Sequence, residues 1–128
     1  MVPEDLYYTE QHEWIRMADG VATVGITDHA QEALGDITFV EMPAEGTKVD
    51  KGDEVCAIES AKAAASIYAP FPGKVVEGNA DLEDAPETVN QDPYNKGWVY
   101  RLEADDPADI GTLMDARAYE TFLAEEEE

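Results

Sequence analysis

The chain has 128 residues, 30 acids against 8 bases, and a formal net charge of −22. That surplus argues against nucleic acid and anionic membranes as partners, since both recruit lysine and arginine. The length fits one domain with one modest core, the 44% hydrophobic share argues against disorder, and no apolar run approaches the ~20 residues of a membrane span.

In chain order, Met1 to Asp5 shows neither a basic region nor an apolar signal core. A bacterial or archaeal cytoplasmic location is expected, with the mitochondrial matrix less favoured. Tyr7 and Tyr8 open an extended arm. Residues 13–17 alternate and read as a strand. Asp19-Gly20 makes a two-residue hairpin turn, and residues 21–26 form the return strand. Thr27 or Asp28 caps a short helix bearing Ala30, Ala33 and Leu34, with Gln31 in a capping-box-like place and Gly35 at its end. Residues 37–42 are apolar and β-rich until Pro43 stops them.

A turn-rich linker at 46–53, in which Val49 offers a pairing position, leads into a strand at 54–59. A second strand, 65–69, ends at Pro70, and residues 73–79 repeat the flavour of the linker on the far side. Leu82 anchors the next stretch, and Pro86 suits the first turn of a short helix through Val89. Residues 90–97 are loop. Residues 98–103 form a strand with Trp98, Tyr100 and Leu102 on one face. Asp105-Asp106-Pro107 breaks it, and 109–114 make a short turn or helix. Asp115 caps a last helix, about 115–124, whose Ala116, Tyr119, Phe122 and Leu123 form an apolar stripe to pack on the strands. The acidic tail at 125–128 opposes the helix dipole and is expected to fray. The sum is a mainly β single domain over 1–128, with its core in about 7–104.

Little in the chain suggests catalysis. Cys56 is the single cysteine and reads as a packing residue inside a strand. The two histidines and Cys56 make no recognisable metal-ligand spacing, so no metal is expected. Chance acidic pairs carry no weight among 30 carboxylates, and no nucleophile elbow, phosphate loop or dinucleotide fingerprint is present. The acidity itself reads three ways: solubility through self-repulsion, a halophilic surface, or steering toward basic partner enzymes. One stretch stands out, Glu59-Ser60-Ala61-Lys62-Ala63-Ala64. It joins two strands in a hairpin, so Lys62 stands at an exposed tip with little bulk beside it. Such a lysine suits modification by another enzyme.

This stretch, followed by Ile67-Tyr68-Ala69-Pro70 and Gly73, resembles the lipoylation site of the glycine cleavage system H protein family. His12-Glu13-Trp14, then Gly25-Ile26-Thr27-Asp28-His29-Ala30-Gln31 with Leu34-Gly35-Asp36, resemble its upstream pattern. Asn90-Gln91-Asp92-Pro93-Tyr94 with Gly97-Trp98 resemble its downstream pattern. The match runs in order from about Tyr7 to the last helix. Other lipoyl and biotinyl carriers typically place Asp-Lys-Ala or Met-Lys-Met at the tip, whereas Glu-Ser-x-Lys-Ala points to this branch.

The resemblance implies a flattened β-barrel of the lipoyl/biotinyl carrier type, a barrel-sandwich hybrid, with a short internal helix and a C-terminal helix. It implies a non-catalytic carrier, a monomer by default, with lipoate in amide linkage on Lys62, placed there by a lipoate-attaching enzyme. The implied partners are glycine decarboxylase (P protein), aminomethyltransferase (T protein) and dihydrolipoamide dehydrogenase (L protein). Glu59 and Gly73 become recognition candidates for lipoylation. Their alternatives are an ordinary surface carboxylate and a turn glycine needing positive φ. Glu13 and Ser66 become candidates for a cleft sheltering the arm. Glu13 would pair with an ammonium there; its alternative is a solvated strand residue beside a core Trp14. Ser66 stands where an Asp is common, so the charge of the cleft departs from the family pattern, and Ala61 stands where Val is usual. The alternative role is an H-like carrier relaying lipoate to 2-oxoacid dehydrogenases. A lipoyl or biotinyl domain cut from a larger enzyme is countered by His12-Glu13-Trp14 and the last helix.

Overall fold

The computed structural model describes residues 2–126. Among the described residues nine strands run in chain order: β1 (Tyr7–Tyr8), β2 (Glu13–Ala18), β3 (Val21–Ile26), β4 (Ile37–Val40), β5 (Lys48–Val49), β6 (Glu54–Ser60), β7 (Ala64–Tyr68), β8 (Gly73–Gly78) and β9 (Tyr100–Ala104). The helices are α1 (Asp28–Leu34), α2 (Asp81–Asp84), α3 (Thr88–Gln91) and α4 (Ala116–Glu126), with a 3-10 turn at Pro107–Thr112. One sheet has the order β1-β2-β3-β9-β8-β5 and the other β4-β6-β7. Every pairing is antiparallel. The mainly β expectation holds, but the two sheets stay separate and do not close into a barrel.

Local chemistry sets the turns. Asp19 and Gly20 take φ of 52° and 80°, as a tight primed hairpin turn requires. The main core lies between the sheets. Alternate residues fill it: Ala22, Val24 and Ile26 from β3, Tyr100 and Leu102 from β9, Cys56 and Ile58 from β6, and Ile67 from β7. Burial pushes the Cys56 thiol up to about 12, consistent with a packing residue.

β2 is buried on both faces. Ile15 belongs to the main core. Trp14 points the other way, into a second cluster with Leu6, Tyr8, Ala116 and Tyr119. The stripe on α4 therefore covers the outer face of β1 and β2. Gly25 pairs opposite Trp14, and a Cβ there would come within 2.6 Å of the indole. The glycine gives the ring room to lie flat on the sheet.

Several boundaries differ from the sequence reading. β4 ends at Val40, two residues early. Trp98 precedes β9 and is not on the Tyr100 face; its ring lies 4.1 Å from the Arg101 guanidinium carbon. Thr27 is the cap of α1, its side chain accepting from Ala30 N–H. Gln31 instead donates to the Asp28 carboxylate at 2.7 Å. Asp115 caps α4 through Ala118 N–H at 2.8 Å. α4 continues to Glu126, past the expected end at 124. The expected fraying of residues 127 and 128 lies outside the described residues.

Candidate functional site

Lys62 occupies the turn between β6 and β7. Ser60 builds the turn: its backbone N–H donates to Ala63 O at 2.7 Å. Its hydroxyl accepts from Ala63 N–H at 3.0 Å and donates to Ala63 O at 3.1 Å. Ala61 N–H donates to Asp36 O at 3.1 Å, which ties the turn to the end of α1. Residues 61–64 are all exposed. Small side chains around a turn held by its own hydrogen bonds leave the lysine open to a modifying enzyme.

The floor beneath Lys62 is Gly35. It has φ 82° and ψ −156°, a region reserved in practice for glycine. A Cβ on it would stand 3.2 Å from Lys62 Cε. Asn90 fixes this floor: its amide donates to Gly35 O at 2.8 Å and to Gln31 Oε1 at 2.9 Å, and its oxygen accepts from Ile37 N–H at 2.9 Å. The following loop clamps the same elements. Pro93 O accepts from Trp14 Nε1 at 2.7 Å, and Tyr94 Oη accepts from Asp28 N–H at 2.9 Å. The downstream motif thus works as a brace on α1 and β2.

Beside the hairpin lies a cavity of about 300 Å³, lined mainly by apolar groups of α1, β6 and β7. Glu13 and Ser66 both line it, as do His12, His29 and Leu34. Glu13 is only 2% exposed, so it is not a solvated strand residue. On β2 it shares the inward face with Ile15 and bridges the sheets. Tyr68 N–H donates to Oε2 at 2.6 Å, and the Thr9 hydroxyl donates to Oε1 at 2.9 Å. Burial raises its pKa to about 7, against the opposing pull of these two donors. Ser66 brings no charge of its own; its hydroxyl donates to Glu54 Oε1 at 2.8 Å.

The other two candidates lie apart from the cavity. Glu59 is an exposed residue of β6, opposite Phe39 and Ala64. Gly73 begins β8 in the six-stranded sheet, paired with Ala104 and Val49. It is not among the positive-φ glycines, which corrects the turn reading. The reason for glycine is close approach: a Cβ would overlap the Glu103 carbonyl oxygen and stand 2.9 Å from Leu102 Cγ.

Sequence reasoning missed the roles of His12, His29 and Tyr119. His12 Nδ1 lies 2.7 Å from Tyr119 Oη, which is 2.9 Å from Thr27 Oγ1. Burial lowers the His12 pKa, partly opposed by Glu126 and aided by His29. The two histidines, which line the cavity, converge with Glu126. Their separation in sequence gives no ligand-spacing signal.

The family model for glycine cleavage H-protein matches residues 6–126. The glycine cleavage system H protein of Idiomarina loihiensis is 54% identical over 126 residues, covering 98% of each chain. That of Halorhodospira halophila is 54% identical over 127 residues, covering 98% of this chain and 97% of its own. The crystal structure of a glycine cleavage system H protein from Mycobacterium marinum superposes with a TM-score of 0.87 at 38% identity, over 96% of this chain and 99% of that one.

Proposed function

The chain belongs to the glycine cleavage H-protein family, and from that premise we propose that Lys62 carries the lipoyl group on which its role as the carrier of the glycine cleavage system depends. The observation that carries this reading is the exposed Lys62 turn, seated on Gly35 beside an apolar cavity. The residues fit such a group. Ala61, Ala63 and Ala64 leave the amine accessible, and the cavity offers an apolar shelter within the same hairpin region. When attached, the lipoyl group supplies a dithiolane that accepts an aminomethyl group and cycles between disulfide and dithiol.

The chain's own residues present, receive and shield. The Ser60 turn presents the amine, and no base beside Lys62 is required, because the attaching enzyme deprotonates its substrate. Leu34, Ile58 and Ile67 exclude water from the cavity. Glu13 holds a carboxylate at its inner wall, and an ammonium entering there would favour its ionised form. Glu59 serves recognition by the lipoate-attaching enzyme, and Gly73 keeps the sheet in register.

The partners in this reading are glycine decarboxylase (P protein), aminomethyltransferase (T protein) and dihydrolipoamide dehydrogenase (L protein), with the chain itself a non-catalytic single carrier domain in the cytoplasm. The relatives' shared name favours this role over a lipoate relay to 2-oxoacid dehydrogenases. The test is the intact mass after co-expression with a lipoate-attaching enzyme and lipoate. A lipoyl-sized increase in wild type, absent in Lys62→Arg, is expected. Unmodified, folded wild type beside a modified control carrier would refute it.

A further inference from the structure

His12 and His29 line the cavity, and Glu126 meets them, so that the three come together from three separate elements. His12 sits in the turn before β2 at φ 68°. His29 lies in the first turn of α1, and Glu126 in the last turn of α4. One ligand atom from each residue falls within 4.8 Å of the others. Nε2 of His12 is 3.1 Å from Glu126 Oε2, and the imidazole centroids are 4.5 Å apart. Zinc bonds of about 2.0–2.2 Å in a tetrahedral shell put neighbouring ligand atoms roughly 3.4 Å apart. The ligand atoms now stand within 4.8 Å of one another, and binding would draw the three side chains together to that spacing.

We propose that His12, His29 and Glu126 form a binding site for a borderline divalent transition cation of the zinc class. Two imidazoles and one carboxylate are a donor set for such an ion, and they leave a coordination position open. Two further observations support the assignment. The His12 ring is oriented through its other nitrogen, by Tyr119 and then the buried Thr27. In the metal-free chain Nε2–H donates to Glu126; with a cation on Nε2, Nδ1–H would donate to Tyr119 instead, the outer arrangement that ligating histidines adopt. In addition, these are the two histidines of the chain, side by side with their rings tilted by 35°, on a surface otherwise rich in hard carboxylates. The net charge of −22 concentrates cations of every kind near the protein. Only this cluster offers imidazole nitrogen, which favours zinc-class ions over calcium or magnesium.

A bound cation would cross-link the turn before β2, α1 and α4, three elements otherwise joined here by hydrogen bonds and packing. It would therefore stabilise the docked position of α4.

The proposal does not rest on the lysine reading, and the test keeps the two apart. The full chain without lipoate, and its Lys62→Arg form, are titrated with zinc chloride by calorimetry, with calcium in excess to occupy surface carboxylates. Both forms are expected to bind one zinc and to melt at higher temperature with it. His29→Ala is the main variant, since His12→Ala disturbs a positive-φ residue bonded to Tyr119. His29→Ala and Glu126→Gln should each weaken binding at least ~10-fold. Cobalt(II) as the probe should give the intense visible bands of a four- or five-coordinate site in wild type and not in His29→Ala. Absence of binding overturns the proposal. So does zinc binding that calcium displaces, or that survives His29→Ala in a protein with wild-type circular dichroism, since either would assign the ion to diffuse carboxylates.

Discussion

At the residue scale, Glu13 has the clearest energetic consequence. Its pKa rises from 4.5 to about 7 in the fold. Between those values the folded chain holds a proton that the unfolded chain has released. Stability must then fall as pH rises from about 4.5 to about 7 and stay lower above, by ~3 kcal/mol for this group. Glu13→Gln keeps the bond from Tyr68 N–H to its oxygen and reverses the other, its amide donating to the Thr9 hydroxyl. Urea unfolding between pH 5 and 8 should show the wild type losing stability and the variant losing less, so that Glu13→Gln is the more stable at pH 8. An equal slope in both proteins would place the proton uptake elsewhere. Gly73 makes a different kind of prediction. An added methyl meets the Glu103 carbonyl and Leu102, and Gly73→Ala should cost ~1–3 kcal/mol as β8 and β9 shift apart. Lipoylation measured by mass at a temperature where the variant stays folded should be complete. A folded but unmodified variant would instead make Gly73 part of the enzyme's recognition surface.

At the scale of elements, Tyr119 ties α4 to the sheet by both packing and hydrogen bonding. The Tyr119 ring stacks on Tyr8 with centroids 4.5 Å apart and planes 7° from parallel. Its hydroxyl joins Thr27 to His12. Tyr119→Phe keeps the stack and removes only the link, so it should cost ~1–3 kcal/mol in urea unfolding with an unchanged m-value. A cost under ~0.5 kcal/mol would mean that water replaces the hydroxyl and that ring packing alone docks the helix. The elements that sequence reading located well are those written in local chemistry. Asp19-Gly20 specifies its turn by itself, Gly35 ends α1 because only glycine takes its backbone angles, and Asp115 caps α4 through a residue three places on. What it misread or left open depends on distant partners. Glu13 reads equally as a cleft carboxylate or as a solvated strand residue, because the Tyr68 N–H that accommodates it inside comes from the other sheet. Trp98 looks like the first residue of the β9 face, because its pairing with Arg101 is invisible to alternation. The acids at the end of α4 oppose the helix dipole, yet the helix continues to Glu126, which meets His12 at 3.1 Å. The site was legible in the same proportion. Lys62 is marked by its turn, whereas the cavity beside it is assembled from α1, β6, β7 and the turn before β2.

At the scale of the whole molecule, the dominant quantity is a charge of −22 on 6823 Å² of accessible surface. The few cations are unevenly placed: Arg16, Lys96 and Arg101 gather around Trp98, on the β2, β3 and β9 side. Asp36 and Glu59 flank the Lys62 turn instead. Carboxylates therefore repel one another through most of the surface, and that repulsion opposes folding. Salt screens it, with a Debye length of ~30 Å at 0.01 M, ~10 Å at 0.1 M and ~3 Å at 1 M. The melting temperature should thus rise with sodium chloride over this range, by roughly 3–10 °C if screening recovers ~1–2 kcal/mol. Ordinary self-repulsion must saturate once the screening length falls below the spacing between charges, so the rise should level off near ~1 M. A surface that depends on high salt for its hydration would show the opposite shape, with little gain at first and a continuing climb into the multimolar range. The same screening should slow association with any basic partner at the Lys62 turn while it stabilises the carrier. Opposite salt trends in melting temperature and association rate, measured on one preparation, would identify the acidity as an electrostatic guide for partners that the fold tolerates. Melting that ignores salt would show that the carboxylates are already spaced widely enough to leave stability unaffected.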